Sequence, residues 1–73
     1  YPSPAHDQVV VPLANTTTVV RISDVAGRLV ATERVASAQR ALLLDVNDWP
    51  DGLYLIRQEG AGSVQTTRLL VQH

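Results

Sequence analysis

The sequence predicts an all-β fold, a small antiparallel sandwich of short strands, and three observations carry that reading. The stretch Val19-Val20-Arg21-Ile22-Ser23-Asp24-Val25-Ala26-Gly27-Arg28-Leu29-Val30 alternates apolar and polar residues on both sides of an Asp-x-x-Gly turn. Turn-forming residues then recur along the chain at intervals of about 8–12 residues. Finally, the 73 residues are 45% hydrophobic and include no cysteine, so an apolar core must hold the fold without disulfide staples. A chain of this length is expected to form one domain, residues 1–73, that buries roughly 60% of the surface exposed when unfolded.

Tyr1-Pro2-Ser3-Pro4-Ala5 opens the chain as a stiff strap, because each proline biases its predecessor toward extended angles and lacks a backbone donor. Residues 7–13 read as the first strand, and Pro12 marks it as an edge or as ending there. Ala14-Asn15-Thr16 turns the chain into the hairpin. There Asp24 accepts nearby backbone N–H groups, and Gly27 takes the left-handed conformation that closes a three-residue loop with a bulge. The register expected from that loop sets Asp24 opposite Arg28, Ile22 opposite Val30 and Val20 opposite Thr32. Val20, Ile22 and Val30 then share the buried face, with Arg21 and Glu33 on the other.

Residues 32–44 are rich in good helix formers, and Val35, Ala38 and Leu42 fall at helical spacing. The alternation of Leu42, Leu44 and Val46 with Leu43 and Asp45 favours strand, loop at about residues 36–40, and strand, with a helix as the alternative. In Asn47-Asp48-Trp49-Pro50-Asp51-Gly52, Pro50 is expected to preset the second turn position and Gly52 to supply positive φ at the exit. Residues 53–57, apolar on both faces, read as a central strand with a layer on each side or one end covered. Residues 59–63 read as a flexible hairpin loop. Residues 64–71 form the last strand, with Leu69 and Val71 on one face and Arg68 and Leu70 on the other.

Composition bounds the function. No apolar run exceeds four residues, too short for a membrane-spanning helix. A formal net charge of −1 supplies no overall field for nucleic acid or an anionic membrane, so neither nucleic-acid binding nor direct membrane insertion is expected. His6 beside Asp7 and the distant His73 lack the spacing of a ligand cage and read as solvated end residues. Asp45, Asp48 and Asp51 lack a calcium-loop pattern and read as turn and capping groups. No serine has the setting of a nucleophile. Trp49 and Tyr54 read as core, although outward-facing they would suit sugar stacking. No enzymatic activity, cofactor or metal is expected. The chain begins at Tyr1 without a methionine, which suggests a piece of a longer protein.

Four blocks together resemble one family. Tyr1-Pro2-Ser3-Pro4 is similar to the Tyr-Pro-Asn-Pro opening of type A C-terminal sorting domains of the bacterial type IX secretion system. Asp24, Gly27 and Arg28 fit their central Asp-x-x-Gly-Lys/Arg block, and Gly52 and Tyr54 fit their Gly-x-Tyr block. Thr67-Arg68-Leu69-Leu70-Val71-Gln72 resembles their closing basic-then-apolar strand. Ser3, Trp49 and the final Gln72-His73 depart from the usual Asn, Leu and lysine.

The resemblance implies an immunoglobulin-like sandwich of six to seven strands at the C-terminus of exported cargo. It implies export through periplasm and outer membrane to the cell surface or beyond. The partners would be the outer-membrane secretion machinery, a surface sortase that usually removes the domain, and a fused upstream cargo. Tyr1, Pro2, Pro4, Asp24, Gly27, Arg28, Gly52 and Tyr54 carry the motif, and Arg68, Leu69, Leu70 and Val71 are the expected recognition element. A carbohydrate-binding or adhesive module of an extracellular enzyme is the alternative, and a passive spacer a third reading.

Overall fold

The computed structural model describes residues 7–73, and the expectations for Tyr1, Pro2, Pro4 and His6 lie outside them. Six strands follow in order: β1 (Gln8–Pro12), β2 (Thr17–Asp24), β3 (Leu29–Arg34), β4 (Ala41–Asp45), β5 (Gly52–Gly60) and β6 (Ser63–Val71). They form two antiparallel sheets, a pair β1-β4 and a four-stranded sheet ordered β3-β2-β5-β6. This is the all-β, immunoglobulin-like sandwich class that the sequence predicts, and the described residues include no helix. Residues 35–40 are loop and turn, so strand-strand pairing overrides the local helix propensity of residues 32–44.

Alternation builds the core. β1 contributes Val9 and Val11, β4 and its exit contribute Leu42, Leu44 and Val46, and the facing sheet contributes Val20, Ile22, Tyr54, Ile56, Leu69 and Val71. Each strand points every second residue inward, so two thin layers close on a single apolar cluster. β5 is central, as its apolar composition predicts, lying between β2 and β6. Only its inner face is covered by a second layer; Leu53 and Leu55 are half-buried on the outer face. Pro12 ends β1, which pairs with β4 alone, so its missing donor breaks no ladder on the open side.

The hairpin register departs from expectation. The loop itself is as predicted: Asp24 N–H donates to the Arg28 carbonyl (3.0 Å) and Gly27 N–H to the Asp24 carbonyl (3.0 Å). Beyond it, Ser23 faces Leu29 but Ile22 faces Ala31, and Val20 faces Glu33 rather than Thr32. A further β-bulge, beyond the one expected at the loop, takes up the extra residue, and Val30 is left 40% exposed instead of joining the core. Ala31 packs in its place against the cluster. Alternation in β3 cannot report this, because inserting one residue exchanges the two faces.

Two turns also differ from expectation. Trp49 N–H donates to the Val46 carbonyl (3.0 Å), so Asn47 and Asp48 are the central residues of that turn and Pro50 follows it. The second hairpin is tighter than a flexible loop, with Gly60 paired to Ser63 and only Ala61 and Gly62 between them. Gly60 is there for space. A Cβ at that position would lie 1.8 Å from the Thr16 carbonyl oxygen, where the β1–β2 connection crosses β5.

Buried Gln58 secures the same crossing. Its Oε1 accepts from Ala14 N–H (3.1 Å) and the Thr17 hydroxyl (2.9 Å), while its Nε2 donates to the Pro12 carbonyl (2.9 Å). A buried amide is costly unless satisfied, and these three bonds satisfy it while anchoring the connection.

The bulge is tested by a pair of substitutions. Ile22→Ala is expected to cost about 2–5 kcal/mol out of a total of roughly 4–11 kcal/mol for a chain of this length. Val30→Ala is expected to cost less than about 1 kcal/mol. Equal losses in urea unfolding would restore the register without a bulge. Gly60→Ala should cost about 1–3 kcal/mol by overpacking against backbone, and an unchanged thermal midpoint would show that the crossing loop moves freely.

Candidate functional site

The β2–β3 turn explains why its motif needs these residue types. Asp24 Oδ1 accepts from the backbone N–H of Ala26 (3.0 Å) and Arg28 (3.0 Å), and Oδ2 accepts from Arg28 Nε (3.0 Å). The Arg28 backbone bond first, then its guanidinium, hold the Asp24 carboxyl below its usual range against some desolvation. Gly27 has φ +85°, and nothing lies within 4 Å of where its Cβ would be, so backbone angle alone selects glycine. Arg28 therefore locks the turn through a carboxylate while its own side chain stays largely in solvent.

Tyr54 joins this turn to the next one. It faces Asp24 in the β2–β5 register and Leu69 in the β5–β6 register. Its ring is 5% exposed, stacks at a tilt on Trp49 with centroids 5.1 Å apart, and its hydroxyl donates to the Pro50 carbonyl at 2.6 Å. Burial raises the phenol pKa, so the hydroxyl remains a donor. A tyrosine near a strand start that bonds backbone a few residues upstream is the corner device of immunoglobulin-like sandwiches. Gly52, with φ +154°, pairs with Val71 and brings the end of β6 beside the same turn.

His73 closes this end, contrary to its reading as a solvated terminal residue. Its backbone N–H donates to Asp51 Oδ1 (3.1 Å), its Nδ1 lies 2.6 Å from the same oxygen, and its Nε2 lies 3.2 Å from the Val46 carbonyl. Both ring nitrogens face groups that only accept, so the doubly protonated imidazolium satisfies both contacts and a neutral tautomer satisfies one. The Asp51 hydrogen bond raises the His73 pKa above the ordinary 6.5, and the same bond lowers that of Asp51. Asp51 is thus a tail anchor as well as a turn residue. No linear pattern announces this pair, which meets only because Gly52 pairs with Val71.

The singled-out residues therefore separate into two groups. Asp24, Gly27, Arg28, Gly52 and Tyr54 gather at one end of the sandwich. Asp24, Arg28, Pro50 and Tyr54 border two shallow clefts there of about 280 Å³ each, with Trp49 on one and Gly52 on the other. On β6, Leu69 and Val71 are fully buried, whereas Arg68 and Leu70 face outward. A sugar-stacking platform would need outward aromatic faces, and Tyr54 and Trp49 spend theirs on each other and the core. Among the described residues no group of three or more His, Cys, Asp or Glu side chains is placed to hold a metal ion.

Fold and site together define a small β-sandwich module in which the described motif residues build turns and a corner. Residues 1–72 match the family described as the secretion system C-terminal sorting domain, and the chain belongs to that family. No curated protein and no solved structure matches it. Family membership makes it a type IX sorting signal of an exported protein, working with the secretion system.

The His73 contact has a definite pH signature. Its contribution through His73 is complete below pH 6.5 and is lost as pH rises through the elevated folded pKa. The contribution through Asp51 is present above pH 3.8 and is lost as pH falls through the depressed one. An NMR titration should give His73 a pKa above 6.5, returning toward 6.5 in Asp51→Asn. An ordinary value in the unmodified chain would mean the tail is undocked in solution.

Proposed function

We propose that residues 1–73 act as a single sorting domain that directs a fused upstream cargo through the outer-membrane translocon to the cell surface or medium. A surface sortase then removes the domain near its start. The sandwich does no chemistry; it is a substrate for both partners. The observation that carries this reading is the family match over residues 1–72, in a chain where Asp24, Gly27, Arg28, Gly52 and Tyr54 lie at one end of the fold.

The β6 geometry supports a division of the recognition element into two tasks. Leu69 and Val71 act through the core, so their loss unfolds the domain before any partner is consulted. Arg68 and Leu70 are displayed on the outer face beside Leu55 and Leu53, their partners on β5, and form the part available to the translocon.

Fusing the chain to a periplasmic reporter in a type IX-competent cell tests the reading. The unmodified chain should carry the reporter to the surface, and Arg68→Glu with Gln72→Glu should lower export several-fold while thermal unfolding stays unchanged. Full export of the double variant would remove the outer face of β6 as the address. Failure of the unmodified chain would remove the sorting function itself.

A further inference from the structure

The outer face of the four-stranded sheet carries a charge pattern that the net charge conceals. Val20 and Ile22, Tyr54 and Ile56, and Leu69 and Val71 point inward, so Arg21, Arg57 and Arg68 point outward. Arg34, opposite outward Val19, joins them from β3. One arginine thus stands on each strand, in a diagonal stripe spanning three inter-strand spacings, roughly 14 Å.

Arg21 and Arg57 are directly opposite each other, a costly like-charge pairing. Glu59 clasps both, at 3.2 and 3.1 Å, and is the only carboxylate that strand alternation turns to this face among the described residues. Arg34 and Arg68 have no ion-pair partner among the described residues. The face carries a formal +3, while the other two arginines and six carboxylates leave −4 on the rest of the surface.

Apolar side chains adjoin the stripe toward the β2–β3 turn. Val25 at the turn is 69% exposed and Leu29 is 58% exposed. Leu53 and Leu70 pair on the same outer face, and Val25 and Leu53 border one cleft.

We infer that this face is a docking surface for an anionic, phosphate-bearing lipid bilayer, met peripherally with the apolar turn end inward and the arginine stripe at headgroup level. The pattern fits a lipid surface because exposed apolar side chains at the β2–β3 turn adjoin the face that carries the cations. Arginine in place of lysine suits it too, since the guanidinium is weakly hydrated and binds phosphate through two N–H groups. The inference goes beyond the sorting reading and does not depend on recognition by the secretion machinery.

The test is co-sedimentation of the 73-residue chain with vesicles of phosphatidylcholine alone or mixed equally with phosphatidylglycerol. At low ionic strength the mixed vesicles should bind roughly tenfold more tightly, with salt erasing most of the difference. Arg34→Gln with Arg68→Gln should weaken binding several-fold, and so should Val25→Ser with Leu29→Ser; circular dichroism would confirm that both variants remain folded. Equal binding to the two vesicle types, or none to either, overturns the inference whatever the variants do. Retention on immobilised polyglutamate without vesicle binding would reassign the face to an acidic protein. Competition by inorganic pyrophosphate at matched phosphate concentration would reassign it to a small anion.

Discussion

The pairing of β2 with β5 is the constraint on which the rest of the sandwich depends. It joins the β2–β3 hairpin to the β5–β6 hairpin, and it places Ile22 opposite Ile56, both fully buried. Neither hairpin has a closed core alone, because an isolated pair of strands is marginal in water. Their union makes a face broad enough for the short β1-β4 pair to cover. A contact between residues so distant in sequence pays loop-closure entropy before it gains burial, so folding should be slow relative to a helical chain of this size.

The polar groups at this pairing divide by position. Toward the β2–β3 turn, Asp24 and Arg28 are satisfied locally, within one loop, and the turn can form before the sheet does. At the other end of β5, Gln58 is satisfied only by groups 41 to 46 residues away. Its hydrogen bonds exist in the assembled sandwich alone. A registry error between β2 and β5 would strand the amide among apolar neighbours, so Gln58 favours one alignment over its competitors.

Much of this architecture is legible in the residues themselves. Alternation at Val9 and Val11, Val20 and Ile22, Leu42 and Leu44, and Leu69 and Val71 reports burial, and Asp24 with Gly27 reports a turn. What is illegible depends on partners far away in the chain. The bulge that turns Val30 outward conserves every local preference, and Gly60 reads as loop flexibility until Thr16 is found against it. The Asp51–His73 contact has no spacing rule, and a net charge of −1 averages over an arginine stripe that only strand order assembles. Of the motif residues, the structure accounts for Asp24, Gly27, Arg28, Gly52 and Tyr54 as turn and corner chemistry; partner recognition, in contrast, is a property of surfaces.

The Gln58 crossing also sets how the sandwich answers mechanical load. Tension that reaches Asp7 loads the bond from Val46 N–H to the Asp7 carbonyl, then the β1–β4 ladder from Gln8 toward Pro12. Pulled from that end and away from its partner, an antiparallel ladder opens like a zipper, one rung at a time, each rung resisting with little force. The peeling front then arrives at Pro12, Ala14 and Thr17, all held by one side chain that belongs to the central strand. There the load changes from sequential rungs to several bonds strained together, and the sheet behind them is shielded. β1 is thus a sacrificial tether, and Gln58 is the rivet at which unravelling stops.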